Sequence, residues 1–111
     1  MIEVKEIKNY DDFITFKEEN KNVLHIVKIG AEWCGPCKVV SKMISNLNKD
    51  LIGDTMFAEI DIEEEGNDDI VSEFGIRNIP VILFIKDGNV LEKKVGTINQ
   101  NELQDIINNN K

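Results

Sequence analysis

The only two cysteines of the chain stand three positions apart in Trp33-Cys34-Gly35-Pro36-Cys37. Thiols at that spacing can trade electrons with a disulfide, because one thiolate attacks a disulfide sulfur and its neighbour then displaces the bond so formed. The pair follows an apolar run, Val23 to Ile29, and leads into a helical pattern that starts near Lys38. Both sulfurs therefore belong to a helix N-terminus. With Cys34 as N-cap, Cys37 falls one turn on, within reach for a short disulfide loop, and the unpaired amides of the first turn point at the Cys34 sulfur. Those amides and the positive end of the helix dipole favour thiolate over thiol, which makes Cys34 the nucleophile and Cys37 the resolving thiol. Gly35 permits close backbone approach, and Pro36 suits a first turn where its missing donor is no loss.

A metal site is the competing use of such a pair. Zinc asks for four ligands; one histidine, His25, and no third cysteine remain, so no metal is expected. His25 lies inside a strand-like run and reads as a core or edge residue.

The elements that position the thiols follow from periodicity. Ile2, Val4 and Ile7 suggest a short first strand. Asn9 caps a helix with Asp11 and Asp12 in its first turn and Phe13, Ile14 and Phe16 on its apolar side, ending near Asn20. The run Val23–Ile29 is apolar on both faces, as in a central strand covered by helices on both sides. Val39, Val40, Met43, Ile44 and Leu47 recur at helical spacing up to a stop at Gly53-Asp54. Met56–Ile60 reads as a strand, and the acidic stretch from Glu63 to Asp69 as a solvated entrance to a helical patch around Ile70, Val71 and Phe74. Val81–Ile85 and Val90–Val95 flank Asp87-Gly88 as a hairpin. Asn99, Glu102 and the Ile98/Leu103 pair form a capping box with a hydrophobic staple, followed by Ile106, Ile107 and an asparagine tail expected to fray. This order implies an α/β fold, a mixed sheet with helices on both faces.

Ala31-Glu32-Trp33-Cys34-Gly35-Pro36-Cys37-Lys38, then Gly75-Ile76-Arg77-Asn78-Ile79-Pro80, Lys86-Asp87-Gly88 and Val95-Gly96 resemble the thioredoxin family over nearly the whole chain. The resemblance implies the thioredoxin fold with a central four- to five-stranded sheet, residues 1–111 as a single domain, and Cys34 at the carboxyl end of a central strand. It implies a thiol-disulfide oxidoreductase that reduces protein disulfides, needs no cofactor, and is recharged by a thioredoxin reductase. It also implies a cis proline at Ile79-Pro80 facing the cysteines, with exposed backbone there pairing with an extended substrate segment and Gly96 giving clearance. Trp33 is either a packed aromatic or part of a flat docking rim, and the rim is favoured. Gly35-Pro36 matches the reducing members; the alternatives are an exchanger of more oxidising potential and a non-catalytic binding module.

The chain departs from the family beneath the disulfide. An aspartate is usual three residues before Ala-Glu-Trp, where this chain has Lys28, and a lysine is usual on the next strand, where Glu59 stands. Either Lys28 and Glu59 form a reversed ion pair under Cys37, with Glu59 the candidate base, or Lys28 snorkels to solvent. Gly30, where the family commonly has tryptophan, is expected to open space beside the site. Lys42, replacing a helix-kinking proline, predicts a straighter helix.

Composition sets the outer limits. At 111 residues and 41% hydrophobic, the chain has room for one modest core. Twenty-one acidic against thirteen basic residues give a net charge of −8, which repels nucleic acid and anionic membranes. Glu3, Lys5 and Glu6 interrupt the N-terminal apolar residues, and no run spans a membrane. The expectation is a cytoplasmic monomer, whose two cysteines are working thiols in a reducing compartment.

Overall fold

A computed structural model describes residues 2–111. Five strands form one sheet: β1 (Val4–Ile7), β2 (His25–Gly30), β3 (Met56–Asp61), β4 (Val81–Lys86) and β5 (Asn89–Val95), in the order β1-β3-β2-β4-β5. β3 runs parallel to both β1 and β2, while β4 is antiparallel to β2 and to β5. Every residue of β2 is buried, as the uninterrupted apolar run requires of a strand in mid-sheet with both faces covered.

Successive side chains of a strand point to opposite faces, and the core divides accordingly. Ile26 of β2, Phe57 of β3 and Ile82 and Phe84 of β4 pack with α2 (Gly35–Ser45), α3 (Lys49–Ile52) and α5 (Gln100–Asn110) through Val40, Ile44, Ile52, Leu103 and Ile107. On the other face Val27, Ile29, Ala58, Ile60 and Leu83 meet Phe13 and Phe16 of α1 (Tyr10–Glu18) and Ile70 of α4 (Asp68–Glu73). His25 is a core residue: its Nδ1 lies 3.0 Å from the Val23 carbonyl, its Nε2 2.7 Å from that of Glu19, and its ring edges onto Phe16.

The local signals act where the residues stand. Asn9 Oδ1 accepts from the Asp12 amide and Asn99 Oδ1 from the Glu102 amide, both at 2.8 Å, each satisfying a first-turn donor of its helix. At the hairpin Asp87 and Gly88 have φ of 53° and 80°, the left-handed pair that the right-handed twist of two antiparallel strands demands.

Several expectations need correction. The helix after the cysteines does not continue to Gly53: α2 runs unbroken through Lys42 but is capped at Asn46, and α3 is a separate turn capped by Asn48. Val39, placed on the apolar side by spacing, is exposed, because Cys37, Val40 and Ile44 already face the sheet. The reciprocal half of the capping box is not made; the Glu102 carboxylate pairs with Lys94 at 2.9 Å instead. The asparagine tail is helical to Asn110, whose carbonyl accepts from Lys86 Nζ at 2.8 Å. Gly30 does line a groove beside the site, but the place of its own missing Cβ is not empty. A Cβ there would stand 2.7 Å from Cys37 Sγ, so the missing side chain lets α2 close onto the end of β2.

Asn67, fully buried, ties the carboxyl ends of two strands together: its Nδ2 donates to the carbonyls of Ile7 at 2.9 Å and Asp61 at 3.0 Å, although its own Oδ1 meets no donor. Asn67→Ala is expected to leave both carbonyls short of a partner and to lower the unfolding free energy by about 2 kcal/mol, read from the urea midpoint. Gly30→Ala is expected to cost about 1–3 kcal/mol by overpacking against Cys37. An unchanged midpoint in the oxidised protein would show that α2 yields freely.

Candidate active site

The site begins where β2 ends. Ala31 turns the chain, accepting a backbone bond from Cys34, and α2 starts at Gly35 with Cys34 as its N-cap in extended conformation. Cys34 Sγ accepts from the Cys37 amide at 3.2 Å, so a sulfur occupies the position that an asparagine or aspartate oxygen takes at other helix starts. Pro36 lies in the first turn, where no donor is needed. The two cysteines are joined in a disulfide, with Cα atoms 5.3 Å apart.

The two sulfurs are not equivalent. Cys34 retains 6% of its surface, whereas Cys37 has none. Both pack with Ala31, Ile62 and Ile79 in a small apolar cluster, which Ile62 joins to the core under α1 and α4.

The segments before β4 and after β5 complete the surround. The Ile79-Pro80 bond is cis, Ile79 touches the cysteine cluster, and Pro80 at the head of β4 accepts from the Gly96 amide at 2.8 Å through its carbonyl. Gly96 has φ of 94°, a conformation that side-chain-bearing residues avoid. Trp33 is 67% exposed, so of its two readings the structure contains the surface one. Its indole is nevertheless held, Nε1 donating to Glu63 Oε1 at 2.8 Å. In the sequence Glu63 is only one member of a solvated acidic run. A partner thirty residues away leaves no local signature.

Below the disulfide, Lys28 and Glu59 are register partners on β2 and β3, and their side chains meet at 3.3 Å. The reversed ion pair is present, and Lys28 does not snorkel: its side chain is 11% exposed against 39% for Glu59. Lys28 Nζ also donates to Ser41 Oγ at 2.6 Å. Ser41 lies one turn beyond Cys37 on α2 and escapes sequence reasoning, where it stands out only as a polar residue next to the apolar positions.

A groove of about 420 Å³ opens beside this cluster, lined among others by Lys28, Gly30, Ser41 and Glu59. Among the described residues no group of His, Cys, Asp or Glu is arranged to hold a metal ion, and no helix is long and apolar enough to cross a membrane.

The model of the thioredoxin family matches residues 2–109. Over 96 residues the chain is 38% identical to thioredoxin of Rickettsia felis, covering 85% of this chain and 90% of the relative. It is 33% identical to thioredoxin of Mycoplasmoides gallisepticum, over 94% of this chain and 99% of that one. Among solved structures, Fasciola hepatica thioredoxin superposes with a TM-score of 0.85 at 28% identity, covering 97% of this chain and all of its own. A helix-capping dithiol at the end of a central strand, in a fold and sequence similar to those of these proteins, leads to one conclusion: the chain belongs to the thioredoxin family and is a thiol-disulfide oxidoreductase working through Cys34 and Cys37.

Proposed function

We propose that Cys34 is the attacking thiolate and Cys37 the resolving thiol in the reduction of protein disulfides. The observation that carries this assignment is the asymmetry of the pair. Cys34 keeps contact with solvent and faces the amides of a helix N-terminus, while Cys37 is sealed within the protein. A client disulfide reaches only the first sulfur.

In the reduced enzyme the Cys34 thiolate attacks one sulfur of the client disulfide; the client's S–S bond breaks, and its other sulfur leaves as a thiolate that takes up a proton. Cys37 then loses its proton and attacks Cys34 Sγ, expelling the second client thiolate. Two electrons have passed to the client, and the enzyme is left with the Cys34–Cys37 disulfide. A thioredoxin reductase returns the two electrons.

Trp33, Ile79, Pro80 and Gly96 form the client-facing rim. The support is the exposure of Trp33, the contact of Ile79 with the cysteines, and the bond between Pro80 and Gly96. An extended client strand pairs with backbone at this loop, so recognition rests on main-chain groups and tolerates many client sequences. Gly35 and Pro36 support the sulfur by shaping the first turn.

Lys28 and Glu59 tune the second thiol. The Glu59 carboxylate is partly in water and its charge is screened, whereas the Lys28 ammonium is held inside, so the field reaching Cys37 is positive. Positive charge favours the Cys37 thiolate, stabilises the reduced form and moves the reduction potential upward. Glu59, reaching the groove, is the candidate base. We place the activity in the cytoplasm, where a reducing poise suits an exchanger whose only cysteines are its working pair, and we take the chain to act as a monomer.

Insulin-disulfide reduction with dithiothreitol is expected to proceed with the wild type and to fall to the uncatalysed rate with Cys34→Ser, while Cys37→Ser accumulates a mixed disulfide visible by mass spectrometry. Equal turnover by wild type and Cys34→Ser would end the assignment. Equilibration against glutathione is expected to show a potential lower in Lys28→Met than in wild type, by about 30 mV if the cation is worth a factor of ten. No difference would remove Lys28 from the redox chemistry.

A further inference from the structure

The chain entering β2 is apolar on its α2 face at Leu24 and Ile26, then carries Lys28 and finally Gly30. The last two positions of that face before the disulfide thus hold a charge and a residue without a side chain, whose space Cys37 fills. The point where a Cβ of Gly30 would lie is 2.7 Å from Cys37 Sγ and 3.7 Å from Lys28 Cε, so the lysine stem and the resolving sulfur flank the same missing side chain.

A lysine has a long flexible stem, and Glu59 alone would draw it outward to a carboxylate that is itself partly in water. Ser41 acts from the opposite side. Four residues after Cys37, it stands on the same face of α2 one turn below it, and its Oγ takes a hydrogen bond from Lys28 Nζ at 2.6 Å, shorter than the 3.3 Å ion pair. The other charged groups on the groove come from three directions: Glu6 of β1 and Lys8 just after it, Glu32 before α2 and Lys38 in its first turns, and Asp61 ending β3 with Glu64 in the loop that follows. Among the described residues, none of these carboxylates lies within ion-pair distance of Lys28; Glu59 alone does.

We propose that Ser41 is a positioning residue for the resolving half of the exchange: it fixes the Lys28 ammonium beneath Cys37, so that the second thiol ionises more readily and sends its proton out through the adjoining groove. This rests on the assignment of Cys37 as resolving thiol made above. Cys37 gives up one proton to Glu59, the candidate base on the groove, its sulfur bonds to Cys34 Sγ, the bond from Cys34 to the client breaks, and the client thiolate leaves. Ser41 makes its side-chain hydrogen bond to Lys28 and to neither reacting sulfur, and acts only through Lys28.

The test is a single turnover of the reduced enzyme with a disulfide peptide, following the mixed disulfide as it forms and decays across a range of pH. With Ser41→Ala, formation is expected to match wild type, while decay at neutral pH slows by about tenfold and its pH profile moves to the alkaline side. Ser41→Thr, which keeps the hydroxyl, is expected to restore the profile. Ser41→Val, the shape of threonine without that hydroxyl, is expected to behave as alanine does and provides a second comparison should the alanine variant misfold. In a Lys28→Met background, Ser41→Ala is expected to add nothing. Decay in Ser41→Ala and Ser41→Val with the wild-type pH profile would overturn the proposal, as would a full additional effect in the Lys28→Met background. Rapid decay of the mixed disulfide in Cys37→Ser would instead overturn the assignment of the resolving thiol, which keeps the two failures apart.

Discussion

The first turn of α2 has amide hydrogens with no carbonyl to meet inside the helix, and this protein answers that deficit with a sulfur atom. Cys34 Sγ accepts from the Cys37 amide and lies at the positive end of the helix dipole. The same geometry brings Cys37 within bonding distance and turns its sulfur inward. Much of the remaining fold keeps this arrangement in place. β2 must be central so that its carboxyl end is rigid, α2 must be pressed onto it through Val40 and Ile44, and the head of β4 must bring Ile79 and Pro80 alongside.

Close packing at this junction leaves little latitude. Gly30 has no side chain because Cys37 occupies the space, and Asn67 gathers the ends of β1 and β3 where the groove opens. A buried lysine would be costly here without partners, since desolvating an ammonium costs several kcal/mol. The cost is offset by Glu59 across the parallel ladder and by Ser41 from the helix above. The result is a member of the thioredoxin family with a lysine held inside and a carboxylate half in water beneath the disulfide, the reverse of the order that the sequence resemblance implies, and with a groove beside them.

Legibility in the sequence tracks the range of the interaction responsible. Asn9, Asn99 and Cys34 act on amides two or three residues away, and each is readable as a cap. The Asp87-Gly88 turn and the uninterrupted run of β2 are readable for the same reason: backbone sterics and period-two burial are local rules. The cis bond at Pro80 and the facing of that loop toward the cysteines follow from family resemblance, since sterics alone can put a proline at the entrance of a strand. Val39 is misplaced by spacing, which cannot say how wide a helix's buried stripe is once the neighbouring positions have filled the sheet's surface. The helix break at Asn46 is hidden because Asn48 caps a second short helix that continues the polar and apolar alternation.

By itself, then, the sequence determined the dithiol, its place at a helix start, the α/β order and the acidic surface, all of which follow from neighbours along the chain. The tertiary structure decided that Glu63 holds Trp33, that Ser41 joins Lys28 and Glu59, and that Gly30 yields its space to Cys37. Those contacts link residues on different elements, and whether two side chains meet across a parallel ladder or from a helix to a sheet depends on strand register and helix rotation. These are set only when the whole core packs, by the sum of many apolar contacts and by no single residue's preference.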